Sequence, residues 1–479
     1  MPSRNLRLLM AMSILSLACL GNARHSPYGA TYTQVFEAIH DKYIEPTDEQ
    51  AMLQAALDGM TSRLDRYSSY IPPRGYRDLK QNLEQHFAGI GIQLSLDPDS
   101  KQLTVLTPLV GSPAHRAGVL AGDRIVKIND RSTEGFSVED AADLLKGPRG
   151  EAVQVTVVHS GQTEPIELRI VRDNIEIESV LGDSRNADDT WNFVLAEHPQ
   201  IGYVRIVSFS ERTVAELQGA LESYRGRGVT GLVIDLRNDP GGMFDSAVDI
   251  CDMFLPADKL IVSTRPRDPQ QERKYYSTGT GQYLSLPLVV LVNQYTASAS
   301  EIVAACLQDH GRAKVVGQRT WGKGSVQHVL NLEGGRSALK LTVATYWRPS
   351  GRNIHRLRAD ESESQPWGVM PDVGCDVPLD AEAFERVVRA RNLRDIVRGP
   401  KGGGAEALPP SLASFAADAA RDPVDVDPQL HKAFELLTAP ADRSQGAAAS
   451  AKQSRIEQAQ GESATAANPD PTPTAAPKP

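Results

Sequence analysis

The chain has 479 residues, room for about three domains at roughly 150 residues each. Its 60 Asp and Glu outnumber 51 Lys and Arg, and a net charge of −9 leaves no global electrostatic footprint for DNA or RNA. With 41% hydrophobic and 23% charged residues the composition is that of a soluble globular protein, and only four cysteines, no two of them a close pair, exclude a disulfide-stapled mini-protein and a Cys-only zinc cluster built on close pairs.

Both ends read as something other than fold. Arg4 and Arg7 precede an apolar run of 13 residues, Leu8 to Leu20, too short to span a bilayer comfortably, and Gly21-Asn22-Ala23 places small residues at the −3 and −1 positions. Residues 1–23 therefore read as a cleavable export signal, with an uncleaved anchor as one alternative. Cys19 opens another, a lipid anchor, although Ser16 stands where a lipobox wants Leu. Cleavage after Ala23 leaves Cys251, Cys306 and Cys375, an odd number that argues against a full disulfide framework. At the other end, residues 440–479 are Ala, Pro, Ser, Gln and Thr without periodicity and predict a disordered tail. Residues 401–439 read as a linker (KGGGAEALPP) followed by a short helix opened by Asp427 and Pro428.

Between the ends, residues 26–85 carry helical spacing, with Val35, Phe36, Ile39 and Tyr43 on one face and Leu53, Ala56, Leu57 and Met60 on another. They predict a helical N-terminal segment that packs or dimerises. Residues 86–175 change character. A glycine-headed strand (Gly89, Ile90, Gly91, Ile92) is followed by Leu103–Leu106, by SPAHRAGV and GDRIVKIN, and by a helix opening at Ser137 with Asp140 as its capping-box partner; alternating strands at 153–158 and 166–171 close the segment. This resembles a PDZ domain. The resemblance implies that the glycine loop turns N–H groups toward a peptide carboxylate while the strand from Ile92 pairs with the peptide; read alone, the glycines would be a turn. Residues 176–400 alternate strands and helices, and Leu288–Val292 (LVVLV) is apolar throughout, as suits a strand covered on both faces. These predict an α/β core.

Three places in that core could carry chemistry. Ser298 stands where LVVLV gives way to a helix, and Ser298 with Glu301 makes an S-x-x-E capping box. That is sufficient reason for a serine there, but a helix start also favours negative charge and suits an oxyanion. Lys323, between Gly322 and Gly324, comes 25 residues later, after one helix and one strand, so the chain can return beside the serine. A lysine base must be neutral, which needs a pKa lowered by ~3 units, within reach of burial. Gln327 follows four residues on and could orient the amine. Arg237-Asn238-Asp239-Pro240-Gly241-Gly242 is a loop-forming turn whose Gly241 or Gly242 N–H could complete an oxyanion hole with that of Ala299.

Together, TASASEI, TWGKGSVQ, DLRNDPGG, YWRPSGRNI and GVMPDV, behind a PDZ-like segment, resemble the carboxyl-terminal processing peptidases, or tail-specific proteases, over roughly residues 30–375. The resemblance implies a multidomain protein with a crotonase-like ββα protease core and an inserted PDZ-like domain. It implies a serine endopeptidase with Ser298 as nucleophile, Lys323 as general base and Gln327 as orienting residue, needing no metal or cofactor. Its partners would be protein substrates with free C-termini, with an adaptor and a homo-oligomer as further expectations, no nucleic acid, and membrane contact only if the signal is lipidated or uncleaved. The export signal places it in the periplasm of a Gram-negative bacterium. Three departures stand out: Trp321 for the usual Phe, Asp239 for the usual second Asn, and Asp65-Arg66-Tyr67-Ser68 where Asp-Pro-His-Ser is common.

Rival chemistries are less well provided for. His328 follows Gln327 directly and would point to the opposite face of a strand. His310 lies about 18 Å from Ser298, at the far end of a helix. There is no HExxH, and Cys251 and Cys306 lack a nucleophile motif. Two classes remain besides a protease: an inactive peptide-binding scaffold, which the intact serine and lysine disfavour, and an acyl-CoA enzyme on a related fold, which the PDZ-like segment and export signal disfavour.

Overall fold

The strand at residues 288–292 shows how the core is built. In a strand, neighbouring side chains face opposite ways. Leu288, Val290 and Val292 enter one hydrophobic cluster, while Val289 and Leu291 enter a second on the other face. A computed structural model describes residues 27–84, 86–97, 100–281, 283–356, 367–397 and 415–439. The signal-like segment 1–23 with Cys19, the linker at 401–410 and the tail at 440–479 lie outside the described residues.

The chain begins with helices α1 (Pro27–Lys42) and α2 (Glu49–Thr61), strand β1 (Ser69–Ile71) and helix α3 (Pro73–Glu84). Asp48 caps α2, accepting the Gln50 and Ala51 N–H groups. The apolar stripe of α1 is not covered: Val35 and Tyr43 are more than half exposed. Next comes the PDZ-like unit: β2 (His86–Gly89), β3 (Ile92–Leu96), β4 (Leu103–Pro108), α4 (Pro113–Ala117), β5 (Arg124–Ile128), β6 (Arg131–Ser132), α5 (Val138–Leu145), β7 (Ala152–Val158), β8 (Ile166–Val171) and β9 (Asp173–Glu176). Ser137 and Asp140 form the reciprocal capping box that opens α5. The main sheet runs β3-β4-β5-β7-β8, so β3 is an edge strand. Its own core gathers Leu103, Val105, Ile128, Val155 and Ile170. Entry and exit strands β2 and β9 pair with each other, which makes the unit an insertion.

Short strands β10 (Val180–Leu181), β11 (Ser184–Arg185), β12 (Trp191–Asn192) and β13 (Val194–Leu195) lead to β14 (His198–Ile206), α6 (Thr213–Glu222), β15 (Gly231–Asp235) and α7 (Phe244–Asp252). Then follow β16 (Leu260–Pro266), β17 (Arg273–Tyr276), β18 (Leu288–Val292), α8 (Ala299–Asp309), β19 (Lys314–Gly317), β20 (Ser325–Leu332) and β21 (Ser337–Trp347). Strands β14, β15, β18 and β19 are parallel neighbours. A second, antiparallel sheet runs β1-β21-β16-β17, with β20 on β21.

Helices α6, α7 and α8 supply one cover of the parallel sheet through Leu217, Ile250 and Val303. The other cover comes from the C-terminus. After α9 (Ala381–Asp395) and α10 (Ala416–Ala419), helices α11 (Pro423–Val426) and α12 (Pro428–Thr438) place Val424, Leu430 and Ala433 against Val233, Val289 and Leu291. Each such fully buried Val or Leu side chain contributes about 1.5–3 kcal/mol. Arg237, at the end of β15, pins this helix through ion pairs to Asp235 (2.6 Å) and to its N-cap Asp427 (2.7 Å). Helix α9 also reaches the PDZ-like unit, packing Leu393 and Ile396 on Ala121. Cys251, Cys306 and Cys375 are free and buried.

Candidate active site

Because β15 and β18 are parallel and in register, with Asp235 opposite Leu291, the loops that follow them leave the sheet at the same edge. The loop after β18 is the serine turn. Ser298 sits at φ 60°, ψ −118°, an unusual backbone for a non-glycine residue. Such a conformation persists only where surrounding contacts hold it. One of them is the capping residue foreseen from the sequence: Glu301 Oε2 accepts the Ser298 N–H at 2.9 Å.

Glu301 does more than cap. The same Oε2 accepts the Lys323 N–H at 2.8 Å, while Oε1 accepts the Gly322 N–H at 2.8 Å and the Thr320 hydroxyl at 2.5 Å. One fully buried carboxylate thus joins the serine turn to the lysine loop with four donors. Tyr346 reinforces the junction: its hydroxyl donates to the Ser298 carbonyl (3.0 Å) and to the Lys323 carbonyl. Burial raises the Glu301 pKa, and the four donors oppose the rise. Burial lowers the Lys323 pKa, helped by the like charge of Lys340 and opposed by Glu301. That is the direction a lysine base needs.

The loop after β15 packs against the serine turn from the other side. A Cβ on Gly241 (φ +90°) would lie 2.6 Å from the Ala297 carbonyl and 2.8 Å from both the Ala299 nitrogen and Ser298 Cβ. Only glycine fits there. Asp239 is fully buried between the two loops. Its backbone carbonyl accepts the Ala297 N–H (2.9 Å) and the Ser300 hydroxyl (3.3 Å). Its Oδ1 accepts the Gly241 N–H at 2.8 Å. Of the three N–H groups foreseen as oxyanion donors, that of Gly241 is therefore engaged, whereas those of Gly242 and Ala299 have no acceptor among the described residues.

A fourth piece comes from the N-terminal segment, where sequence reasoning saw only departures from a motif. Strand β1 pairs with β21, opposite Ala338–Lys340. Asp65 accepts the Tyr67 and Ser68 N–H groups and the hydroxyls of Ser68 and Thr342. This anchored turn sets the Tyr67 ring 5.5 Å from Lys323 Nζ, with the Trp321 indole donating to the Tyr67 hydroxyl at 3.2 Å. Gln327 Nε2 donates to Ser325 Oγ (2.9 Å) and Thr342 Oγ1 (3.2 Å), so its amide nitrogen faces this anchor. His328 is exposed on the other face, and His310 caps the far end of α8, bonded to the Leu260 carbonyl. In the PDZ-like unit, Gly89 pairs with Asp173, Ile90 is buried, Gly91 takes φ +75°, and Ile92 opens the edge strand β3.

Tyr346, Asp239, Tyr67 and Asp65 are thus site residues without a role foreseen from the sequence. Asp65-x-x-Ser68 did carry a local signal, the spacing of a side-chain-capped turn, but nothing in it pointed to the lysine.

A serine at a strained strand-to-helix turn, a half-buried lysine tied to it, a glycine loop against the serine turn and an inserted PDZ-like module define a serine peptidase with a PDZ domain. Residues 200–374 match peptidase family S41 and residues 104–158 match the PDZ domain. The chain is 34% identical over 418 residues to the carboxy-terminal-processing protease of Bartonella bacilliformis, covering 85% of this chain and 88% of that one. It is 34% identical over 347 residues to the carboxyl-terminal-processing protease of Synechocystis, covering 71% and 75% respectively. Among solved structures it is similar to a photosystem II D1 C-terminal processing protease, at 32% identity over 73% of this chain and 89% of that one, with a TM-score of 0.39. The chain belongs to the carboxy-terminal processing protease family.

Proposed function

We propose that the protein is a serine endopeptidase with a Ser298–Lys323 dyad that processes or degrades exported proteins from their C-terminal region. The observation that carries this reading is the shared grip of Glu301 on both backbones, which makes serine turn and lysine loop one rigid unit. Neutral Lys323 takes the Ser298 proton, the alkoxide attacks a peptide carbonyl, and an acyl-enzyme forms that water releases. The N–H groups of Gly242 and Ala299 hold the oxyanion, and each such donor supports about 3–4 kcal/mol of barrier lowering. Gln327 and the Tyr67 ring keep the amine in place.

Strand β3 lies at the edge of its sheet, the position needed for strand addition by a substrate C-terminus at Gly89–Ile92. Binding there gates access to Ser298. The core is read as crotonase-like, the leader as an export signal to the periplasm, and the exposed stripe of α1 as a contact between copies.

The test is proteolysis of an unfolded protein with a free apolar C-terminus. Ser298→Ala and Lys323→Ala should each remove activity by about four orders of magnitude or more while the far-UV spectrum and melting curve stay those of a folded protein. Full activity in either variant discards the dyad. Wild-type activity should rise with pH, because the base works only when deprotonated; a flat profile from about pH 5 to 9 counts against a lysine base.

A further inference from the structure

The glycine loop contains a buried acid with an unmet valence. Asp239 is 0% exposed, yet its carboxyl is sparsely supported: Oδ1 receives the Gly241 N–H, the neutral Ser300 hydroxyl lies beside the group, and Oδ2 is buried without a hydrogen-bond partner among the described residues. Charged groups on the surrounding elements are committed elsewhere. Arg237 in the same loop is ion-paired to Asp235 and Asp427, and Glu301 at the start of α8 is taken by its four donors. Lys323 in the facing loop and Asp245 at the start of α7 make no ion pair with Asp239, which has none among the described residues. An isolated carboxylate in such a place costs far more than a neutral acid.

We propose that Asp239 is a positioning residue that works as the neutral acid: it holds the Gly241 peptide against the serine turn through Oδ1, and its ionisation disables the oxyanion site on the alkaline side. The inference rests on the dyad reading for its catalytic consequence. A negative charge at Asp239 would lie in the same turn as Gly242, three residues on, whose N–H is read as receiving the developing oxyanion, and would oppose the charge that group is there to stabilise. Burial without a countercharge pushes its pKa well above the ordinary carboxyl range, in keeping with this geometry.

A bell-shaped profile of kcat/KM follows, with Lys323 setting the rising limb and Asp239 the falling one. In Asp239→Asn the amide oxygen still accepts the Gly241 N–H but nothing ionises. The falling limb should therefore disappear or move to higher pH by at least about one unit, with the rising limb in place. A second readout needs no catalysis. Unfolded Asp ionises near pH 3.9 whereas folded Asp239 retains its proton, so the native state binds more protons and stability falls as pH rises towards the folded pKa. The melting temperature of Asp239→Asn relative to wild type should accordingly increase steadily from about pH 4 to 7. A difference that is flat with pH, or a falling limb unchanged in the variant, overturns the proposal. Ser298→Ala measured alongside tests the serine assignment separately, and its outcome does not enter the melting comparison.

Discussion

Two buried carboxyl groups flank the nucleophile turn, and the protein treats them oppositely. On the lysine side, Glu301 receives four donors and unites two backbone segments, the serine turn and the lysine loop. On the glycine side, Asp239 has only the Gly241 N–H and the neighbouring Ser300 hydroxyl, and leaves an oxygen bare. Burial raises both pKa values; four hydrogen bonds push back at Glu301, and those of Gly241 and Ser300 alone at Asp239, whose pKa stays well above the ordinary carboxyl range. A carboxylate can be stored in a protein interior when its lone pairs are filled. One side of the turn is therefore a permanent brace, and the other depends on a proton.

The contrast breaks most severely at Glu301. Glu301→Gln replaces one acceptor oxygen with an NH2 group that must face two N–H donors, or a hydroxyl and an N–H. Each buried donor left unpaired costs about 1–3 kcal/mol. A loss of about 2–5 kcal/mol in urea unfolding is expected, with kcat down by about a hundredfold or more as serine and lysine lose their common anchor. The Asn substitution at Asp239 should instead stabilise the fold at neutral pH. If both amide variants move stability in the same direction, the two acids are equivalent and the contrast is lost.

How much of this could be read from the chain depends on whether the partners are close in sequence. The serine turn, the lysine loop and the glycine loop each carry their own signal, because LVVLV, S-x-x-E and Pro-Gly-Gly dictate local conformation by themselves. The parallel sheet was legible for the same reason: strands apolar on both faces demand two covers. What supplies the second cover was not. Helix α12 shows an apolar face and an Asp-Pro start, but nothing in DPQLHKAFELLT says that Leu430 meets Val289 rather than forming an appendage beyond a linker. Helix α7 does carry a helical period, with Phe244, Ala247, Val248 and Cys251 on one face. The stripe on α1 has helical spacing, yet such a face does not reveal whether its partner is in the same chain. Asp239 stood out in the sequence only as a charge change, since its missing countercharge is a property of packing.

The N-terminal arm offers an intermediate effect. Asp65 is held below the usual carboxylate range: burial would raise it, and the bonds from Ser68, the Tyr67 N–H and Thr342 outweigh that. A depressed folded pKa contributes stability above the unfolded value and loses it as pH falls through the folded one. The arm should therefore loosen on acidification below about pH 4. Asp65→Ala should loosen it at all pH values. With the Tyr67 ring withdrawn, water reaches Lys323, and since burial is the main reason its pKa is low, the rising limb should shift alkaline with kcat at neutral pH down about tenfold. A lowered kcat with an unmoved limb would mean that the arm supports the fold without tuning the base.

The smallest effect on chemistry is expected farthest from Ser298, at Gly91. There the residue adopts φ +75°, and an added Cβ would stand 2.4 Å from Ser112 Cβ. Ser112 is itself fixed, donating to the Gly91 carbonyl at 2.9 Å and capping α4. Neither side can yield without opening the glycine loop. Gly91→Ala should thus displace the N–H groups that face a substrate carboxylate and tilt the first residue of β3, while α5 and the protease core stay in place. If this groove takes the substrate tail, KM for a peptide with a free C-terminus should rise about tenfold, equivalent to about 1.4 kcal/mol of binding, with kcat little changed. The same peptide with an amidated C-terminus lacks the charge that the loop is read as holding, so wild type and variant should cleave it with similar KM. Equal losses on both peptides would show that the substitution disturbs the unit as a whole, and would assign carboxylate recognition to a different part of the molecule.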